Sequence, residues 1–155
     1  MLVKISVENF KSFQDATELT MISSNKIRTN ASHRLKIKST QLLKYGVVYG
    51  ANASGKTNLV EFFRFFKKCV SGGIPMEAVQ MFCKNREQNK ERESNFEMQF
   101  TVGDKFYAYG FSAVLSKRKI TAEWLYELYQ NGTAHCLFER EGNNCLLYTS
   151  PSPRD

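Results

Sequence analysis

Gly50-Ala51-Asn52-Ala53-Ser54-Gly55-Lys56-Thr57 is the stretch on which the reading of this chain turns. It fits the spacing G-x-x-x-x-G-K-[ST]. A loop of this kind wraps a phosphate with successive backbone N–H groups turned inward. Gly50 and Gly55 stand where a side chain would hinder the tight turns and the close approach. A helix starting near Gly55 aims its N-terminal dipole and unpaired N–H groups at the anion. Lys56 then reaches the β- and γ-phosphates as a point charge, and Thr57 offers a hydroxyl to Mg²⁺. Average residue frequencies generate the bare pattern by chance in about one chain in two hundred of this length, so the flanking sequence decides.

Upstream, Leu42-Leu43-Lys44-Tyr45-Gly46-Val47-Val48-Tyr49 is a short apolar run ending in Gly50, the form of a buried parallel strand. Downstream the period changes. Leu59, Phe62, Phe63, Phe66, Cys69 and Val70 recur at three- and four-residue steps, which predicts a helix with one packed face. Phe65 falls off that stripe. Ser71-Gly72-Gly73-Ile74-Pro75 ends the helix.

Farther out, residues 2–7 alternate as a strand, and Asn9-Phe10-Lys11-Ser12-Phe13 reads as a turn. A second strand is expected near Thr17 to Ile22. Residues 23–40 are polar and read as a loop with one short strand around Leu35 to Ile37. After the polar stretch 84–94 the period becomes two. Strands are predicted over Phe96–Val102, Phe106–Leu115, Ile120–Tyr129 and Ala134–Glu139, separated by Gly103-Asp104, Ser116-Lys117-Arg118, Asn131-Gly132 and Gly142-Asn143. The second half is therefore an antiparallel meander. Trp124, Tyr126 and Tyr129 read as strand packing rather than a base-stacking platform.

The 155 residues suffice for one modest domain with a real core, and 12 Phe with 7 Tyr supply it. The net charge of +7 favours polyanionic partners. The basic residues are scattered, however, and the denser runs, Lys26 to Lys38 and Lys84 to Arg92, also read as solvated loops. Cys69, Cys83, Cys136 and Cys145 form neither a CxxC pair nor a zinc spacing with His33 or His135. No signal peptide and no membrane-length apolar run is seen, so the expectation is a cytoplasmic protein without membrane contact. The end of the chain, from Cys145 to Asp155, resembles a peptide translated from sequencing-adapter DNA. The expected division is a partial phosphate-loop domain over 1–144 and a tail over 145–155 outside fold reasoning.

The order of these pieces resembles a family. A first strand running into Asn-Phe-Lys-Ser-Phe, a polar stretch, then Gly-Ala-Asn-Ala-Ser-Gly-Lys-Thr-Asn-Leu looks like the N-terminal part of an ABC-type ATPase of the SMC/RecF/overcoming-lysogenization-defect group. Such proteins are often described as AAA-type ATPases, many of them in phage defence. Phe106-Tyr107-Ala108-Tyr109-Gly110-Phe111 with Ala122 to Glu127 is similar to their β-rich subdomain, so the likeness covers about residues 1–140.

The resemblance implies an α/β P-loop NTPase fold: the N-terminal half of an ABC-type head, with a mixed sheet and the antiparallel meander. It implies ATP and Mg²⁺ as ligands. Gly50, Asn52, Ala53, Ser54, Gly55, Lys56 and Thr57 would line the phosphate loop, with Thr57 toward the metal. Asn58 would contact the α-phosphate or support the loop, and Lys11 and Ser12 would lie near the nucleotide. It further implies a nucleotide-dependent homodimer of the intact parent, while the basic charge raises a DNA or toxin/effector partner. The family's signature motif, Walker B Asp–Glu pair and switch His have no counterpart here. The Asp residues are Asp15, Asp104 and Asp155, and none ends a run of four apolar residues or precedes a Glu. Binding is thus expected of this chain, and hydrolysis of an intact parent. The alternative is a nucleotide-gated module acting on DNA or a toxin with little hydrolysis of its own. A P-loop kinase is disfavoured by the meander, and a transport cassette by the Asn-Ala-Ser-Gly-Lys-Thr-Asn form of the loop.

Overall fold

The alternation that opens the chain survives in three dimensions. In β1 (Leu2–Glu8), Val3, Ile5 and Val7 are buried and the residues between them only partly so, as a strand with one core face requires. The structure is a computed structural model and describes residues 1–24, 26, 29–142 and 144–147. The other elements are β2 (Thr17–Thr20), β3 (Arg34–Ile37), β4 (Thr40–Leu43), α1 (Lys56–Gly72), β5 (Ser94–Val102), β6 (Lys105–Val114), β7 (Lys119–Leu128), β8 (Ala134–Glu141) and β9 (Asn144–Leu147). Of the tail assigned to 145–155, residues 148–155 lie outside the described residues, as does Asn143 of the expected Gly142-Asn143 turn.

Seven strands form one sheet in the order β2-β1-β5-β6-β7-β8-β9, and every described ladder in it is antiparallel. From β5 onward, sequence neighbours are spatial neighbours, which is the meander expected from the period-two runs. Gly103 at φ 60° and Gly132 at φ 83° supply the left-handed backbone for two of its turns.

One helix covers one face of the sheet. Phe62, Phe65, Phe66 and Cys69 of α1 are its buried residues, at the i, i+3, i+4, i+7 spacing of a single stripe. They meet Ile5, Val7, Phe96, Phe111 and Ala113 from the strands and Phe10 from the turn after β1. Phe96 and Phe111 are cross-strand partners with stacked rings 5.0 Å apart. Phe65 lies 5.0 Å from Phe96, and Phe66 5.6 Å from Phe111. Each ring buried here contributes roughly 1.5–3 kcal/mol. Phe65 is therefore a centre of the core and not an outlying ring, whereas Val70 is exposed. The helix ends where the sequence predicts: Gly73 at φ 78° returns its N–H to the Cys69 carbonyl at 2.9 Å, and Pro75 follows. Burial pushes the Cys69 thiol up to about 12, so it serves as packing and not as a nucleophile.

The face of the sheet away from α1 mixes polar side chains such as Glu97 and Gln99 with Trp124 and Tyr126. Trp124 lies over Gly110, where an added Cβ would come within 2.5 Å of the indole. Its Nε1–H donates to Glu97 at 3.2 Å. Trp124 and Tyr126 are thus half-buried on this outer face and take no part in the core beneath α1.

The strand expected over Leu42–Tyr49 does not form. Thr40–Leu43 pairs backward with Arg34–Ile37 as a two-stranded antiparallel hairpin, turning at Lys38 with φ 53°. Residues 44–50 are irregular, with Val47 and Tyr49 79% and 91% exposed. The expected mixed sheet is accordingly corrected: both described sheets are antiparallel. The physical reason is a missing neighbour. A parallel strand is stable only between partners that take up its N–H and C=O groups, and none of the described strands lies beside residues 44–50. The hairpin is fastened to β1 instead, through Met21 N–H to the Val3 carbonyl at 2.8 Å and Leu43 N–H to the Met21 carbonyl at 2.7 Å. No helix among the described residues is long and apolar enough to cross a membrane.

Candidate functional site: the Gly50–Asn58 loop and its neighbours

The loop residues predicted to hold phosphate lead directly into α1. Gly55 takes φ 90° and ψ 1° at the helix N-cap, a left-handed conformation that costs other residues roughly 1–2 kcal/mol. Ala53 is also left-handed, at φ 64°. These two left-handed residues turn the backbone on either side of Ser54, whose N–H donates to the Ala51 carbonyl at 3.3 Å. A Cβ at Gly50 would sit 2.8 Å from Ser54 Oγ, and one at Gly55 would sit 3.1 Å from Ser12 Oγ. Glycine at Gly55 is required by its left-handed backbone, whereas a Cβ at Gly50 would be met by rotation of the Ser54 hydroxyl.

The electrostatics point the same way. The first turn of α1 carries no acidic residue and no side-chain cap, so its N–H groups keep their positive potential. Lys56, the first helical residue, adds a full positive charge there. Its Nζ is held across the loop by the Gly50 and Ala51 carbonyls, both at 2.6 Å, and by Ser54 Oγ at 3.3 Å. A cation at the positive end of a helix violates the usual preference. Together they concentrate positive charge at the start of α1. The hollow is lined by Asn52 through Asn58 and encloses ≈ 370 Å³, and Asn52, Ala53, Ser54 and Thr57 are open to solvent.

The residues expected near the nucleotide from the N-terminal turn are brought to the same place. Ser12 Oγ accepts a hydrogen bond from Asn58 Nδ2 at 2.8 Å, tying that turn to the first turn of α1. Lys11, left-handed at φ 50°, gives its N–H to the Met81 carbonyl at 2.7 Å, and its Nζ stands 3.9 Å from Glu61. A second cleft of ≈ 420 Å³ opens here, with Lys11, Ser12 and Asn58 on one side and Phe82 and Lys84 on the other. Sequence reading missed that second wall. Its one usable signal was Asn9, since an Asn just after a strand is a common left-handed residue. A larger hollow of ≈ 520 Å³ farther along α1 is bordered by charges that pair with one another, Arg64 with Glu61 at 2.8 Å and Lys68 with Glu77 at 2.5 Å.

The donor set fits a magnesium–nucleotide in part. Two glycines leave room for a phosphate, Lys56 and the helix end supply positive charge, and Thr57 supplies a hydroxyl at the helix start. No cluster of three or more His, Cys, Asp or Glu able to hold a metal by itself exists among the described residues. A cation at Thr57 would depend on phosphate oxygens for its remaining ligands.

Comparison with known proteins identifies a family. The model of the AAA ATPase domain family matches residues 1–142, spanning β1, the loop, α1 and the meander. A search of curated proteins finds no match to the chain. A match over nearly the whole sequence implies nucleotide use, typically with Mg²⁺. The chain belongs to the AAA ATPase domain family.

Proposed function

We propose that this chain binds Mg-ATP through Gly50–Thr57 as the nucleotide-holding half of an ABC-type head of the SMC/RecF-like group. The observation that carries the reading is the loop itself. A left-handed glycine, Gly55, caps a 17-residue helix whose first residue is Lys56, and Ala53 is left-handed two residues before it. Backbone N–H groups and Lys56 would bind and orient the phosphates, Thr57 would face the magnesium, and Asn52 and Ser54 would line the loop. The order of the Asn9–Phe13 turn, the loop and the antiparallel meander supports the SMC/RecF-like assignment. Bound Mg²⁺ neutralises phosphate charge in such sites; within this sequence no Asp–Glu pair follows an apolar strand to act as a base. In this proposal hydrolysis is the work of an intact parent acting as a head-to-head dimer, with nucleotide at the interface and a DNA or effector partner beyond it.

Equilibrium titration with Mg-ATP tests the binding step. Wild type should saturate, and Lys56→Ala should weaken binding by at least about tenfold, the effect of losing one charge-assisted contact. Equal affinity of the two proteins would refute the assignment.

A further inference from the structure

We infer that Asn9 is a positioning residue for this site, holding together the two walls of the cleft beside the loop. The inference rests on the reading of Gly50–Thr57 as a nucleotide site.

Asn9 has no exposed surface and a left-handed backbone at φ 49°. Its side chain is spent on one segment, residues 83–93. Nδ2 donates to the carbonyls of Asn89 at 2.8 Å, Arg92 at 3.1 Å and Glu93 at 3.3 Å, and Oδ1 accepts the Cys83 N–H at 3.2 Å. Three carbonyls around one end of the amide and an N–H at the other leave a single orientation that satisfies them. The Asn9 carbonyl accepts Ser94 Oγ–H at 2.6 Å, and buried Asn89 closes the same segment by donating to the Cys83 carbonyl at 3.0 Å.

This arrangement is a clasp between parts of the chain more than 70 residues apart. One part is the turn that carries Lys11 and Ser12, two and three residues beyond Asn9. The other carries Phe82 and Lys84, on either side of Cys83. The two parts form the facing walls of the ≈ 420 Å³ cleft. From the first wall the coupling reaches the loop in one step, since Ser12 Oγ holds Asn58 Nδ2 and abuts Gly55. Asn9 touches neither the loop nor the cleft; it acts through Ser12. Asp at this position would set a carboxylate oxygen against three carbonyls, whereas Gly keeps the left-handed backbone and deletes only the clasp.

The test is a double-variant cycle on the full chain, read as Mg-ATP affinity well below each protein's melting temperature. Asn9→Gly should weaken binding about tenfold. Ser12→Ala should weaken it by a similar factor, and the double variant should be no weaker than the worse single one, because both changes break one connection. If Asn9→Gly does not fold, Ser94→Ala, which removes the hydroxyl that donates to the Asn9 carbonyl, takes its place in the cycle. A lowered melting temperature with unchanged affinity, or losses that multiply in the double variant, overturns the inference while leaving the nucleotide site standing. Failure of wild type itself to bind Mg-ATP overturns the nucleotide reading and this inference with it.

Discussion

Gly55 joins three demands in one residue. Its φ of 90° is a left-handed conformation, its missing Cβ makes room for Ser12 Oγ, and its carbonyl accepts the Leu59 N–H at 3.2 Å to start α1. Alanine there meets the backbone cost of roughly 1–2 kcal/mol and a contact at 3.1 Å with the Ser12 hydroxyl. Gly55→Ala should therefore lower the urea midpoint modestly and weaken Mg-ATP binding more than that loss of stability explains, checked by parallel denaturation and titration. Unchanged affinity would remove Gly55 from the site. These roles were legible in sequence because the spacing of Gly50, Gly55, Lys56 and Thr57 states a mechanism. The role of Asn9 was not, because its partners lie some 80 positions away and only the fold brings them to it.

At the level of elements, periodicity carried most of the fold. Helix α1 and strands β5 to β8 lie where periods of 3.6 and 2 place them, and glycines mark the turns. Leu42–Tyr49 shows the limit of that method. An apolar run specifies burial but not the partner that provides it. Four of its neighbours, Arg34–Ile37, are close enough in sequence to pair through a tight turn, so Leu42 is buried in the local hairpin and Val47 and Tyr49 are left without cover. Such an uncovered apolar segment is a hazard for self-association. Packing of the sheet faces was also only half legible. The inward face of β6 could be read from alternation, but the need for Gly110 could not, because it arises from Trp124 on the next strand. Gly110→Ala would force a Cβ within 2.5 Å of the indole and 2.7 Å of the Phe96 carbonyl. We expect a loss of about 1–3 kcal/mol in urea unfolding, with Mg-ATP affinity unchanged, since the strain lies on the face opposite α1. Wild-type stability in this variant would show that the indole lies elsewhere.

For the molecule as a whole, the sheet and the loop divide the work. The meander and β1 form a rigid platform, the phenylalanines of α1 fix the helix to it, and the start of that helix presents the loop at the edge of the core. The charge of +7 is compatible with an anionic ligand but does not choose one; in the proposed reading the choice comes from the loop, where the helix N-terminus and Lys56 coincide. The most direct test of that claim is residue-resolved. Mg-ATP added to the ¹⁵N-labelled chain should shift the amide resonances of Gly50 to Asn58 and, through Ser12, those of the turn after β1, while the far strands β7 and β8 stay unmoved. Saturable shifts centred on the outer face of the sheet, or none at the loop at millimolar nucleotide, would contradict the account.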